Sequence, residues 1–254
     1  VRILLIFNKI SNYKKQIYNS LVENLDSNVH VDLHIHHSNS SLFQNLIKNN
    51  LGEYDYYIVM PHFYEDIEMA IETLKLIPNE KLILLDKDVD LGTNNHSCIY
   101  QNFEKDIVFA LNDAFELISR YKKLVLIFSS IIPYPKDIIK GFRIFCIQHE
   151  LEHEIMYDFF EDSEVTKGAA YICIEENDLV NLIKKCRQEK LDIGHEVGII
   201  SYNETPLKEI LLDGITTIST DHEKMGITAA QIINNNERKS LIKNPFTLIK
   251  RKSL

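Results

Sequence analysis

Short apolar runs alternate with longer stretches of mixed character along this chain, and the alternation predicts its elements. Val1 to Phe7 reads as a buried strand, and Tyr13, Ile17, Leu21 and Leu25 then recur at helical spacing as one stripe. The order repeats. Val29 to Ile35 precedes a helix carrying Leu42, Leu46 and Ile47; Tyr56 to Met60 precedes one carrying Ile67, Ala70, Ile71 and Leu74; Lys81 to Leu85 closes the group. These strands predict one doubly wound lobe. After a short run, Ser97 to Tyr100, a second lobe of similar build is expected. It reads as a helix (Phe103, Ile107, Leu111, Ala114, Ile118), strand Leu124 to Phe128, helix Ile138 to Ile147, strands Glu154 to Tyr157 and Ala170 to Ile174, helix Leu179 to Cys186, and strand Val197 to Ile200. A last run, Ile215 to Ile218, empties through Ser219, Thr220 and Asp221 into a helix reaching Asn234.

Composition narrows the function classes. With 254 residues and 45% hydrophobic content, the chain can bury the core of one large domain or two lobes. Its formal net charge is -9 with Lys and Arg scattered, whereas phosphate binding takes a concentrated basic face, so these residues are not expected to touch DNA. Cys98, Cys146, Cys173 and Cys186 sit inside apolar runs without CxxC spacing and read as reduced, buried thiols of a cytoplasmic protein. No apolar run approaches the ~18 residues of a membrane span, and VRILLIF is too quickly polar for a signal peptide. The 8 glycines form neither GxxxxGK(S/T) nor GxGxxG, so no nucleotide cofactor is expected.

In open parallel sheets ligands bind beyond the carboxyl ends of strands, so the residues after each apolar run are the candidates. They are Asn8, Asn12 and Tyr13 after the first strand, His36 and His37 after the second, His62 and Phe63 after the third, and Asp86 after the fourth. The second lobe adds Ser129, Ser130, Lys136, Glu175 to Asp178 (Glu176 among them), Asn203 and Glu204, with Tyr100 and Asn102 between the lobes. Carboxylates, amides and aromatic rings match the hydroxyls and apolar C–H faces of a sugar, so a polyol is the expected ligand.

The last quarter carries a family resemblance. VGIISYNETPLKEI (from Val197), GITTISTDHEKMGITAA (from Gly214) and NPFTLIKRKSL (from Asn244) resemble the effector-binding half of LacI/GalR repressors and of GntR-type regulators that carry the same module. The resemblance extends weakly over nearly the whole chain and implies a periplasmic-binding-protein-like fold of two doubly wound parallel-sheet lobes joined by a three-strand hinge. By it, the helix from Glu223 packs on the first lobe and Phe246 to Ile249 returns to the second, giving lobes 1–101 plus 220–241 and 102–219 plus 242–254. The hinge is expected near Tyr100 to Asn102, Ser219 to Asp221 and Leu241 to Asn244. It also implies that Asp86 is an acid contacting ligand hydroxyls, that Tyr100 covers the pocket, and that Asn203 matches the acid or amide of the VxGYDD motif. Two departures stand out: the family's Arg position is Ile138, with Lys136 or Lys140 as substitutes, and its Asn-Asp pair is Glu175-Glu176, with Asn177-Asp178 following. Which of Glu175, Glu176 and Asp178 faces the ligand stays open.

His149-Glu150-Leu151-Glu152-His153 is a literal HExxH, the zinc-peptidase signature on a helix. It falls where a predicted helix gives way to a strand, so a polar connection is expected instead. The cluster His34, His36, His37 lacks an acid or cysteine complement, and no metal is expected there. No nucleophile-base-acid set is legible, and Ser129 and Ser130 lack a GxSxG elbow. The expected function is therefore not enzymatic: a sugar-sensing regulator module, dimeric, without a membrane anchor, reaching DNA only through a further domain. The alternative is a periplasmic sugar-binding protein of a transporter. Tyr13, Tyr18 and Val22 beside the core stripe of the first helix are the expected dimer surface.

Overall fold

A computed structural model describes residues 1–93 and 95–254. The chain divides into two compact units, residues 1–101 with 221–245 and residues 102–220 with 246–254, so it passes between them three times. In the first unit come β1 (Arg2–Phe7), α1 (Asn12–Asn24), β2 (His30–Ile35), α2 (Ser40–Asn50), β3 (Tyr56–Val59), α3 (Ile67–Leu74), β4 (Leu82–Asp86) and β5 (Ser97–Tyr100). The second holds α4 (Phe103–Asp113), α5 (Phe115–Ile118), β6 (Lys123–Phe128), α6 (Asp137–Gln148), β7 (Glu152–Tyr157), β8 (Ala169–Cys173), α7 (Glu176–Gln188), β9 (Gly198–Tyr202), α8 (Pro206–Ile210) and β10 (Thr216–Thr220). The first unit then regains α9 (His222–Asn234) and β11 (Leu241–Lys243), and the second ends with β12 (Phe246–Ile249).

Each unit is built on one six-stranded sheet. The first runs β11-β5-β4-β3-β1-β2, parallel throughout. The second runs β12-β10-β9-β8-β6-β7, parallel except that β12 is antiparallel to β10. Both are covered on two faces, which is why the central strands read as unbroken apolar runs. Along β1, Ile3, Leu5 and Phe7 meet α1 and α9 through Ile17, Leu21 and Met225, while Leu4 and Ile6 meet α2 and α3 through Phe43, Ile47 and Leu74. Strand alternation sorts them. Likewise Leu124, Leu126 and Phe128 of β6 pack under α4 and α6, and Val125 and Ile127 under α7.

Glycine sets the closest helix approach in each unit. A Cβ on Gly226 of α9 would lie 2.0 Å from Ser20 Oγ and 2.5 Å from the Ile17 carbonyl of α1. On Gly141 of α6 it would lie 2.3 Å from the Glu104 carbonyl of α4.

Several boundaries differ from the sequence reading. Leu241–Lys243 is not a crossing but a strand, paired parallel with Cys98–Tyr100 and continued by an Asn244 N–H bond to the Tyr100 carbonyl at 2.8 Å. Residues 242–245 thus run with the first unit, and Thr220 with the second. β7 begins at Glu152 because an edge strand tolerates charge: Glu152, His153 and Glu154 are exposed there. Leu42 and Ile67 face outward while Phe43 and Thr73 are buried. The helix over 103–118 breaks at Ala114, and α8, opened by Pro206, is too short to leave an apolar stripe in the sequence.

Candidate functional site

The carboxyl end of the first sheet collects a connected polar set. Asn8, after β1, donates from Nδ2 to Ser38 Oγ at 3.3 Å, and its Oδ1 accepts from the Lys14 ammonium. Lys14 is only 3% exposed although it sits in the first turn of α1. Its Nζ lies 5.6 Å from the centre of the Tyr13 ring, and that ring lies 4.7 Å from the imidazole of His222, which opens α9.

Asp86 ends β4 in the left-handed region, φ 76°. His62 Nε2 donates to its Oδ2 at 2.7 Å, Gln101 Nε2 donates to its Oδ1, and the Gln101 N–H donates to its carbonyl at 2.9 Å. Burial pushes the carboxyl upward, but the bonds from His62 and Gln101 and the nearby His222 outweigh it and hold the group below its usual range. It is therefore a carboxylate at neutral pH, an acceptor for hydroxyls.

The two adjacent histidines part company. His36 is wholly buried, stacked on Phe63 at 4.5 Å, with Nε2 donating to the Met60 carbonyl at 3.0 Å. Burial pulls its pKa down to about 4, so it is a neutral packing residue. His37 is exposed, with φ 50°, and lines a surface cavity of about 350 Å³ with Ser38, Ser40, Tyr64 and Asp66. Asn12 is exposed; the cap of α1 is Ser11, whose Oγ accepts from the Lys14 N–H. Tyr100 is half-buried against the core.

In the second unit several candidates have local structural duties. Asn102 caps α4, accepting from the Lys105 N–H at 3.2 Å. Ser129 Oγ accepts from the N–H groups of Ile131 and Ile132, while Ser130 is bound to Asp158. Lys136 is exposed at the start of α6. Asp178 is turned to the loop before β8: its Oδ1 accepts from the Phe159 N–H at 2.8 Å, and burial raises its pKa. Glu204 accepts from Arg251 Nη1 at 2.8 Å and from Thr217 Oγ1, fastening the C-terminal tail to β10. Asp178 and Glu204, both expected to meet a ligand, are thus each bonded within the protein.

What remains at that sheet end is a smaller group. Tyr134 OH donates to Glu175 Oε1 at 2.7 Å. Asn203, φ 66°, is held by Lys208, whose Nζ donates to the carbonyls of Asn203 at 2.6 Å and Tyr202 at 3.1 Å and lies 4.0 Å from the Glu176 carboxylate. Burial lowers the Lys208 pKa. Sequence reasoning missed Lys14, Gln101, His222, Tyr134 and Lys208. A lysine in a first or only helical turn reads as solvated, and nothing in the string says that these two turn inward.

The HExxH residues do not share a helical face. α6 ends at Gln148, Glu150 has φ 52°, and His153 lies in β7. His149 stacks on Phe115 at 4.0 Å and bonds Asn112 Oδ1 at 2.7 Å. Among the described residues no group of three or more His, Cys, Asp or Glu is arranged to hold a metal ion, and no helix is long and apolar enough to cross a membrane. The cysteines are free and buried; burial pushes Cys146 up to about 12 and Cys186 to about 11, so they are protonated and inert.

The sequence profile of the periplasmic binding protein-like domain matches residues 119–254. The chain is 23% identical to the HTH-type transcriptional regulator GalR of Streptococcus thermophilus, over 90% of this chain and 77% of that protein. Among solved structures, a dimeric Lac repressor with an 11-residue C-terminal deletion superposes with a TM-score of 0.81 at 15% identity, covering 100% of this chain and 98% of that one. The trehalose repressor of Escherichia coli gives 0.79 at 15%, covering 98% and 99%. A periplasmic binding protein/LacI transcriptional regulator of Alkaliphilus metalliredigens, complexed with D-xylulofuranose, gives 0.74 at 16%, covering 99% and 98%.

Proposed function

The chain belongs to the periplasmic binding protein-like domain family, and from that premise we propose that it is the sugar-sensing effector module of a cytoplasmic bacterial transcriptional regulator. The observation that carries the sugar reading is Asp86, an ionised acceptor poised at the carboxyl end of β4 between His62 and Gln101. Asn8, Tyr13 and Tyr100 complete that half of the site, with Glu176 and Asn203 at the end of the second sheet. The regulator reading is supported by the match to GalR along 90% of the chain, and the ligand class by the relative solved with a bound sugar.

A ligand that favours closure of the two units about the three crossings shifts the population between states, and in a homodimer that resets the spacing of DNA-reading domains outside these residues. The formal net charge of -9 agrees with that division of labour. Thermal-shift screening against pentoses, hexoses, deoxy sugars and their phosphates tests the reading: a binder at 100 times its Kd adds about 2.7 kcal/mol. No stabilisation by any of them refutes it.

A further inference from the structure

We propose that the Gln101 amide oxygen is a ligand acceptor that gives the first unit's half-site its specificity; the assignment rests on the sugar reading above. The orientation of the amide follows from chemistry. A carboxylate only accepts, so the end of Gln101 facing Asp86 Oδ1 is Nε2, and Oε1 is the end left over. Gln101 is 7% exposed, and its Oε1 receives no hydrogen bond from the described residues. A buried carbonyl in that condition is unusual and calls for a donor.

A ligand hydroxyl supplies one. Asp86 already accepts from His62 and Gln101 but keeps lone pairs on both oxygens, so the carboxylate and the neighbouring amide oxygen form a double acceptor. That pair selects a sugar with two adjacent hydroxyls and discriminates against one lacking either, because the site's own acceptor is then left unpaired. Gln101 is also the last residue of the first unit before the chain crosses at 102.

The test is calorimetric titration of D-xylose, D-xylulose, L-arabinose, D-galactose and L-fucose into wild type, Gln101→Met, and the swapped pair Asp86→Asn with Gln101→Glu, each checked for folding by its melting curve. In the swapped pair the new amide donates to the new carboxylate, and a carboxylate oxygen stands where Oε1 was. Gln101→Met is expected to weaken the sugar that wild type binds by about tenfold or more, and the swapped pair to recover most of it. Retention of wild-type affinity in Gln101→Met overturns the assignment and leaves the sugar reading intact. Wild type that binds none of these five and none of the wider set of sugars and sugar phosphates overturns both. If Gln101→Met does not fold, Gln101→Ala is titrated in its place: a tenfold loss supports the role, and wild-type affinity overturns it.

Discussion

Lys208→Met removes the cation beneath the second sheet's carboxyl end, and the structure fixes what it should do. Lys208 is 3% exposed, and its Nζ holds the carbonyls of Tyr202 and Asn203 at 3.1 and 2.6 Å. Hydrogen bonds to a charged group are each worth about 1.5–3 kcal/mol net, and losing both leaves two carbonyls without this donor. Working against that, burial disfavours the charged lysine, as its lowered pKa records, and methionine relieves the penalty while filling most of the volume. The partner at 4.0 Å, Glu176, has a side chain 46% exposed, so that attraction is screened and small. The carbonyl loss outweighs the relief, and the net expectation is destabilisation of about 2–4 kcal/mol. Urea unfolding at 25 °C followed by circular dichroism measures it; in a melt the shift is on the order of 10 °C. Because Lys208 also restrains Asn203 at φ 66°, sugar affinity should fall together with stability. A change below about 1 kcal/mol, with affinity intact, would show that the carbonyls find other donors and refute the reasoning.

Three other outcomes follow from the packing. Gly226→Ala should destabilise by about 1–3 kcal/mol in spite of alanine's better helix propensity, because the new Cβ meets α1 backbone; an unchanged melting temperature would mean that the two helices separate freely. Asp178 has a folded pKa raised by burial, so the folded state binds a proton more readily than the unfolded one, and its charge subtracts stability above the folded pKa. Asp178→Asn keeps the acceptor for the Phe159 N–H and should stabilise by about 1 kcal/mol at pH 7, the gain shrinking as pH falls through that pKa. A pH-independent loss would contradict it. Glu204→Gln weakens the Arg251 tie, partly solvent-screened, and should lower stability by about 1 kcal/mol while leaving sugar affinity within twofold; a large affinity loss would return Glu204 to the ligand site.

The sequence by itself determined most of the elements and their order, because a strand covered on both faces leaves an apolar run and a helix covered on one leaves a stripe. β12 falls at Phe246–Ile249 as read, and Asp86 was recognisable as the polar residue ending LILLD. Three things were decided only by tertiary structure. The edge position of β7 made its charged start invisible to a hydrophobic criterion, and β11, three residues long with two of them exposed, became a strand only through β5 beside it. The direction of individual polar side chains was equally hidden: the letters give no reason for Glu204 to turn to Arg251 or Asp178 to Phe159, since both partners lie far along the chain or on another element. Nor do they reveal that Lys14 and Lys208 point inward, because periodicity registers apolar burial and is blind to a cation buried on backbone carbonyls or an amide. Local physics wrote the scaffold into the sequence; long-range hydrogen bonding chose which polar residues serve it.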